Sequence, residues 1–242
     1  MKNSSVVFVV GLVGFLLAGC ATQEDSDVIS SYIRIAQKAH ASGNSDAATN
    51  FYNKIIEMKP EDHRAYLGLS EIYIDSKLLD LAAQYIKKAE DRGASANRIA
   101  YLRGKIFLLQ ENVAAAEREF KKYETTYSLN ALGAIYDNRG DHKKAQALYR
   151  QVISADPKYI DAYNNMGLSL LLCGYYKEAV FYLENACALP GANAMYRSNL
   201  ALALGLYGNL SKARGVYAQD YSGEELEEKM AYLEDMIASR NN

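Results

Sequence analysis

Tryptophan is absent from the 242 residues, and cysteine and histidine occur three times each. His40, His63 and His142 stand far apart without paired ligands, so no histidine-based metal site is expected. Positive charge is not in excess: 27 Lys and Arg face 29 Asp and Glu, a formal net charge of −2. No basic run is interleaved with aromatics, which argues against a nucleic-acid partner. The long apolar run, Val6 to Leu17, holds twelve residues, whereas a bilayer-spanning helix needs about 20. Also missing are a nucleophile elbow, a glycine-rich phosphate loop, a metal pair and a spaced carboxylate dyad. The chain therefore reads as no enzyme, with no cofactor and no metal.

What is present is a register. Ala48, Ala82, Ala116, Ala145, Ala179 and Ala213 are spaced 34, 34, 29, 34 and 34 residues apart. A second row of small residues keeps the same intervals: Ala36, Ser70, Gly104, Gly133, Gly167 and Ala201. Larger anchors recur between them, as in Tyr163, Met166, Leu170 and Leu183, or Leu129, Leu132, Tyr136 and Tyr149. This pattern resembles the tetratricopeptide repeat, a pair of antiparallel helices stacked on its neighbours, with small residues where helices approach closely. The expected fold is all-α: a helix-hairpin solenoid of about six repeats over residues 28–221, with a C-terminal capping helix over 222–242. Such a stack builds a binding surface and by itself no catalytic centre.

Gly43, Gly140, Gly174 and Gly208 fall at the ends of first helices, where a left-handed residue closes a helix. Ser45, Asp141 and Ser211 are the expected N-caps of the second helices. The third repeat is short by five residues between Phe120 and Leu129 and has weak anchors (Ala100, Arg103), which predicts a shortened second helix or turn and a local change of pitch. Cys173 and Cys187 fall on the two helices of one hairpin, about eight positions or 12 Å apart along the axis. That is beyond disulfide reach, and both read as small buried hydrophobes. Most of the 20 tyrosines fall at core positions of the repeats. Ser222 and Glu225 form a capping-box pattern ahead of Leu226, Met230, Leu233 and Ile237, one apolar helical face that would cover the last repeat.

The amino-terminal 19 residues carry Lys2, the apolar run and Leu17-Ala18-Gly19 before Cys20. Their length fits a signal peptide rather than a membrane span. The sequence around Cys20 resembles a bacterial lipobox, which implies cleavage after residue 19, acylation of Cys20 and a membrane anchor of more than one chain. Ala21 at the following position implies sorting to the outer membrane, and residues 20–27 read as an acidic lipidated tether.

In the repeat family, positions 2, 5, 9 and 12 of each first helix face a groove. Position 5 reads Ile33, Leu67, Tyr101, Asn130, Asn164 and Ser198; position 9 includes Lys105 and Leu168, and position 12 includes His40, Ile74, Leu108, Asp137 and Leu171. Asn130 and Asn164 offer donors and acceptors to an extended peptide, with Leu67, Tyr101, Leu108, Leu168 and Leu171 as apolar surroundings. Inter-repeat packing of the leucines, local backbone capping by the asparagines, or a partner on the convex face are the alternatives. Arg98, Lys105 and Asn130 could also hold a terminal carboxylate, but the full clamp pattern of basic and amide residues is absent, and a solvated basic face is the favoured reading.

A lipobox followed by six such repeats resembles two groups of secretion lipoproteins: the pilotins of type IV pili and the TadD family of the tight-adherence (Flp pilus) apparatus. The stretch from Arg197 to Arg214, with Asn199-Leu-Ala-Leu-Ala-Leu-Gly-Leu-Tyr-Gly208 at its heart, followed by Asp220-Tyr-Ser and Met230-Ala-Tyr-Leu233, looks most like TadD. The resemblance implies a periplasm-facing outer-membrane scaffold that binds protein partners, a secretin or another pilus-assembly component. A lipoprotein scaffold for outer-membrane protein insertion or for a cell-wall synthase is the alternative.

Overall fold

The computed structural model describes the backbone of residues 10–241 and the side chains of residues 26–239. Every element among them is a helix, and these group into two compact bodies that meet in sequence between Asn112 and Val113. The first holds α1 (Val10–Ala41), α2 (Ser45–Met58), α3 (His63–Asp75), α4 (Leu79–Glu90) and α5 (Ala96–Leu109). The second holds α6 (Val113–Phe120), α7 (Thr126–Asn138), α8 (His142–Ala155), α9 (Ile160–Leu172), α10 (Tyr176–Ala188), α11 (Ala194–Leu206), α12 (Leu210–Tyr217) and α13 (Gly223–Asn241). Residues 1–9 and the side chain of Cys20 lie outside the described residues, and with them the cleavage and acylation expected there. The backbone of residues 21–27, read above as a tether, is helical within α1; neither proline nor glycine interrupts the chain between Cys20 and Ala41. Among the described residues no helix is long and apolar enough to cross a membrane.

The small-residue rows are where helices meet. All six alanines of the first row are fully buried. In the second row, a Cβ added to Gly133 would stand 2.4 Å from the Tyr149 ring, and one added to Gly167 would stand 2.5 Å from Leu183 Cγ. In both hairpins the missing side chain lets the large residue of α8 or α10 lie directly on the backbone of α7 or α9. Close packing of this kind tolerates no extra methyl group.

Each first helix ends in the same turn. Residues 43, 77, 111, 140, 174 and 208 all have positive φ. In each, the N–H of the next residue bonds back to a first-helix carbonyl: Asn44 to Ala39, Leu78 to Tyr73, Asn112 to Phe107, Asp141 to Tyr136, Tyr175 to Leu170 and Asn209 to Leu204, all at 2.8–2.9 Å. These are Schellman closures. Glycine marks four of them, while Lys77 (φ 59°) and Glu111 (φ 60°) hold the same conformation with a side chain. The second and third turns were therefore invisible to a search for glycine.

Two of the expected N-caps move. Asn44 caps α2 by accepting from the Ala47 N–H, and Asn209 caps α12 by accepting from the Lys212 N–H; Ser45 and Ser211 already lie within those helices. The closure at residue 43 or 208 leaves the next residue as the last non-helical one, so the cap falls there. Asp141 does precede α8, but its carboxylate takes Lys144 Nζ at 2.9 Å instead of a backbone N–H. The third repeat has a short second helix, eight residues in α6 against 14 in α2 and α8.

At the carboxyl end, α13 turns Met230 and Leu233 inward, 4% and 1% exposed, with Leu226 and Ile237 packed beside them. The Leu233 methyl groups fill the place a Cβ on Gly205 would take. Each such burial contributes roughly 1.5–3 kcal/mol. Among the described residues no hydrogen bond joins Ser222 to Glu225; Gly223, at φ 56°, opens the helix.

Candidate functional site

The first helices of the first body, α1, α3 and α5, are joined by charge. Arg98 of α5 is paired with Glu71 of α3. Asp75, at the end of α3, takes His40 Nε2 of α1 at 3.0 Å and Lys105 Nζ of α5 at 3.6 Å. Arg98 also lies over the Tyr101 ring, 5.3 Å from its centroid. Arg98 and Lys105, which could have held a carboxylate or formed a solvated basic face, are thus committed to acids of the neighbouring helix. Leu67 and Tyr101 are half-buried against the α3–α5 core, and Leu108 is half-buried on α5. Ile33 and Ile74, at positions read as groove-facing, are 8% and 1% exposed and belong to the core. Side-chain packing between helices, rather than repeat position alone, decides which way they face.

In the second body the corresponding helices are joined by amides. Asn199 Nδ2 of α11 donates to Asn164 Oδ1 of α9 at 2.7 Å. Asn164 Nδ2 donates to Asn165 Oδ1 at 3.2 Å, and Asn165 Nδ2 donates to Asn130 Oδ1 of α7 at 3.1 Å. Asn164 is only 5% exposed and engaged at both ends of its amide. It is therefore a link between helices, not the peptide contact expected of it. Among the described residues no hydrogen bond engages Asn130 Nδ2 or Asn199 Oδ1, the two ends of the row. Leu168 and Leu171 are half-buried on α9, with Leu171 against the core. Asn165 and Asn199 were not among the groove positions read from the sequence, although their 34-residue spacing puts them in repeat register.

Beside the amide row lies a polar knot on Asp137, whose side chain is 12% exposed. Its carboxylate accepts from Ser169 Oγ at 2.7 Å, from Tyr149 OH at 2.9 Å and from His142 Nδ1 at 2.8 Å. Burial, and then the Asp137 charge, push the Tyr149 hydroxyl far above the usual phenol range. Gln146 Nε2 reaches Ser169 Oγ at 3.3 Å and Cys173 Sγ at 3.6 Å. Ser169 is fully buried, and its hydroxyl ties α9 to Asp137 of α7. Cys173 and Cys187 are free thiols and half-buried, less enclosed than expected. Among the described residues no group of three or more His, Cys, Asp or Glu is placed to hold a metal ion. What the first-helix faces can do chemically is donate, accept and exclude water, which is binding.

The tyrosines divide: Tyr52, Tyr66, Tyr149, Tyr196 and Tyr217 are buried, while Tyr123, Tyr127, Tyr175, Tyr207 and Tyr232 are exposed. Burial pushes the Tyr52 hydroxyl up to about 12.

Residues 39–106 match one family model described as tetratricopeptide repeat, and residues 126–159 and 160–193 match a second with the same description. The BBSome complex member BBS4 homolog of Drosophila melanogaster is 25% identical over 174 residues, covering 72% of this chain and 30% of that protein. The chain thus spans about a third of the length of this curated relative. Among solved structures, PilW, described as a widely conserved type IV pilus biogenesis factor, superposes with a TM-score of 0.61 at 17% identity, over 83% of this chain and 97% of that one. PilF of Pseudomonas aeruginosa gives 0.58 at 15% identity, over 86% and 99%. At these identities the two structures speak for the fold.

Proposed function

Because the chain is a tetratricopeptide-repeat protein, we propose that it serves as a lipid-anchored adaptor at the periplasmic face of the outer membrane, binding protein components of a Flp (Tad) pilus apparatus. The observation that carries the binding role is the first-helix face of the second body. There Asn130, Asn165, Asn164 and Asn199 form one uncharged row whose end groups remain open to a partner. Support for the setting comes from Leu17-Ala18-Gly19-Cys20, from the TadD-like segment around Asn199–Gly208, and from a fold shared with a type IV pilus biogenesis factor over most of both chains. The lipid confines the adaptor to one leaflet, which raises its effective concentration near an assembling secretin.

Two measurements test this. Deleting the gene should reduce surface fibres and secretin multimers; normal levels of both would remove the pilus role. Cys20→Ala should abolish incorporation of labelled lipid and release the protein from the membrane. A pull-down that returned barrel-assembly or peptidoglycan enzymes in place of secretin and pilus components would assign the adaptor to those machines instead.

A further inference from the structure

Two consecutive hairpin turns of the second body, at equivalent places in adjacent repeats, carry exposed apolar side chains. Leu172, Tyr175 and Tyr207 are 68%, 56% and 52% exposed. They flank Gly174 and Gly208, which stand at the same register 34 residues apart. The equivalent stretch of the preceding hairpin, Asn138 to Asp141, is polar. Large apolar side chains exposed at neighbouring turns mark a contact surface.

We propose that these two turns insert into the interfacial region of an anionic lipid bilayer. Tyrosine has an apolar body and a hydroxyl tip, the combination enriched where hydrocarbon meets headgroup. Leu172, the most exposed of the three, supplies the group that enters the acyl boundary. Lys177 and Lys212 are exposed beside the turns and make no ion pair among the described residues, so both can reach lipid phosphates. Glu178, next to Lys177, and Glu184, farther along α10, are the exposed acids between them in sequence. The turn backbone is prepared for a medium poor in water. The Gly174 and Tyr175 N–H groups bond to Leu171 and Leu170 carbonyls at 3.0 and 2.9 Å, and those of Gly208 and Asn209 to Gly205 and Leu204 at 2.9 and 2.8 Å. These four N–H groups are paired and need no water, while the first turn of α10, which has no side-chain cap at Tyr175, stays at the headgroup level where water is present. This contact is additional to any anchor at the amino end and does not depend on the adaptor role.

The absence of tryptophan makes a site-specific test direct. Full chains carrying Tyr175→Trp, Tyr207→Trp or, as control, Tyr232→Trp (67% exposed) are mixed with phosphatidylglycerol vesicles containing brominated acyl chains. The fluorophores at 175 and 207 should shift to the blue and be quenched, more so than with phosphatidylcholine, while the one at 232 stays unquenched. Adding Leu172→Ser to the Tyr175→Trp chain should lower the insertion constant about tenfold. All these positions are more than half exposed, so folding is retained, as circular dichroism would verify. Unquenched emission at 175 and 207, quenching equal at all three positions, or a blue shift that requires a protein component and no lipid would each overturn the proposal.

Discussion

Replacing Gly133 by alanine adds one methyl group at the tightest place in the α7–α8 hairpin. The new Cβ would lie 2.4, 2.8 and 2.9 Å from Cε1, Cζ and Cδ1 of Tyr149. That ring is 1% exposed, and its hydroxyl is held by Asp137 Oδ2 at 2.9 Å. It cannot swing aside without giving up the bond. Overpacking of this kind costs typically 1–3 kcal/mol, and loss of a hydrogen bond to a charged acceptor about 1.5–3 kcal/mol. Alanine's better helix propensity returns about 1 kcal/mol. The two costs do not both apply in full, because a ring that moves relieves the overlap, so the net expectation is a loss of about 2 kcal/mol. In a chain of this size each kcal/mol moves the melting temperature by roughly 2–4 °C. Gly215 is the internal control: it also lies within a helix, but a Cβ there meets nothing within 4 Å. Gly215→Ala should therefore stabilise by about 0.5–1 kcal/mol. Urea and thermal unfolding followed by circular dichroism read both. If Gly133→Ala proved as stable as the parent, or Gly215→Ala as damaging as Gly133→Ala, the close-approach account of the small-residue rows would be wrong.

Lys77→Gly and Glu111→Gly, at left-handed positions that cost a side chain about 1–2 kcal/mol, should each raise stability by about 0.5–1 kcal/mol once glycine's extra chain entropy is set against the gain; unfolding midpoints check this. Asn164→Ala leaves the Asn199 and Asn165 amides without their partner and should cost about 2 kcal/mol, with faster hydrogen exchange in α9 and α11. Asp62 is held below the usual carboxylate range by its Arg64 hydrogen bond, a further backbone bond from Arg64 adding to it. A depressed carboxyl contributes stability above its unfolded pKa, about 3.9, and loses it as pH falls through the lower folded value. Asp62→Asn should therefore destabilise at pH 7, and the gap to the parent should close as pH falls through the folded value; a gap that did not narrow in acid would refute the charge-based reading.

Repeat register was legible because it is enforced by volume. A fully buried alanine every 34 residues, as at Ala145, Ala179 and Ala213, is a local choice that repeats wherever the same close approach repeats. The shortening of α6 was legible for the same reason, since both rows shift together across it. Direction was less so. Asn164 and Ile74 sit at positions read as facing a groove, yet one is spent on Asn199 and Asn165 and the other lies in the core. A side chain's reach to the next repeat depends on neighbours that no single repeat contains. Lys77 and Glu111 were missed because a left-handed turn can be imposed by the hydrogen bonds around it on a residue that does not advertise it.

Sequence alone determined the helix-hairpin repeats, their number and the anomaly in the third, because helix packing is dictated by residue size at fixed spacing. Tertiary structure alone decided that Arg98 and Lys105 are neutralised by Glu71 and Asp75 while the second body's first helices are joined through uncharged amides. It also decided that Leu172, Tyr175 and Tyr207 are exposed at consecutive turns. Pairing and exposure are properties of the space between repeats, and that space forms only when they stack.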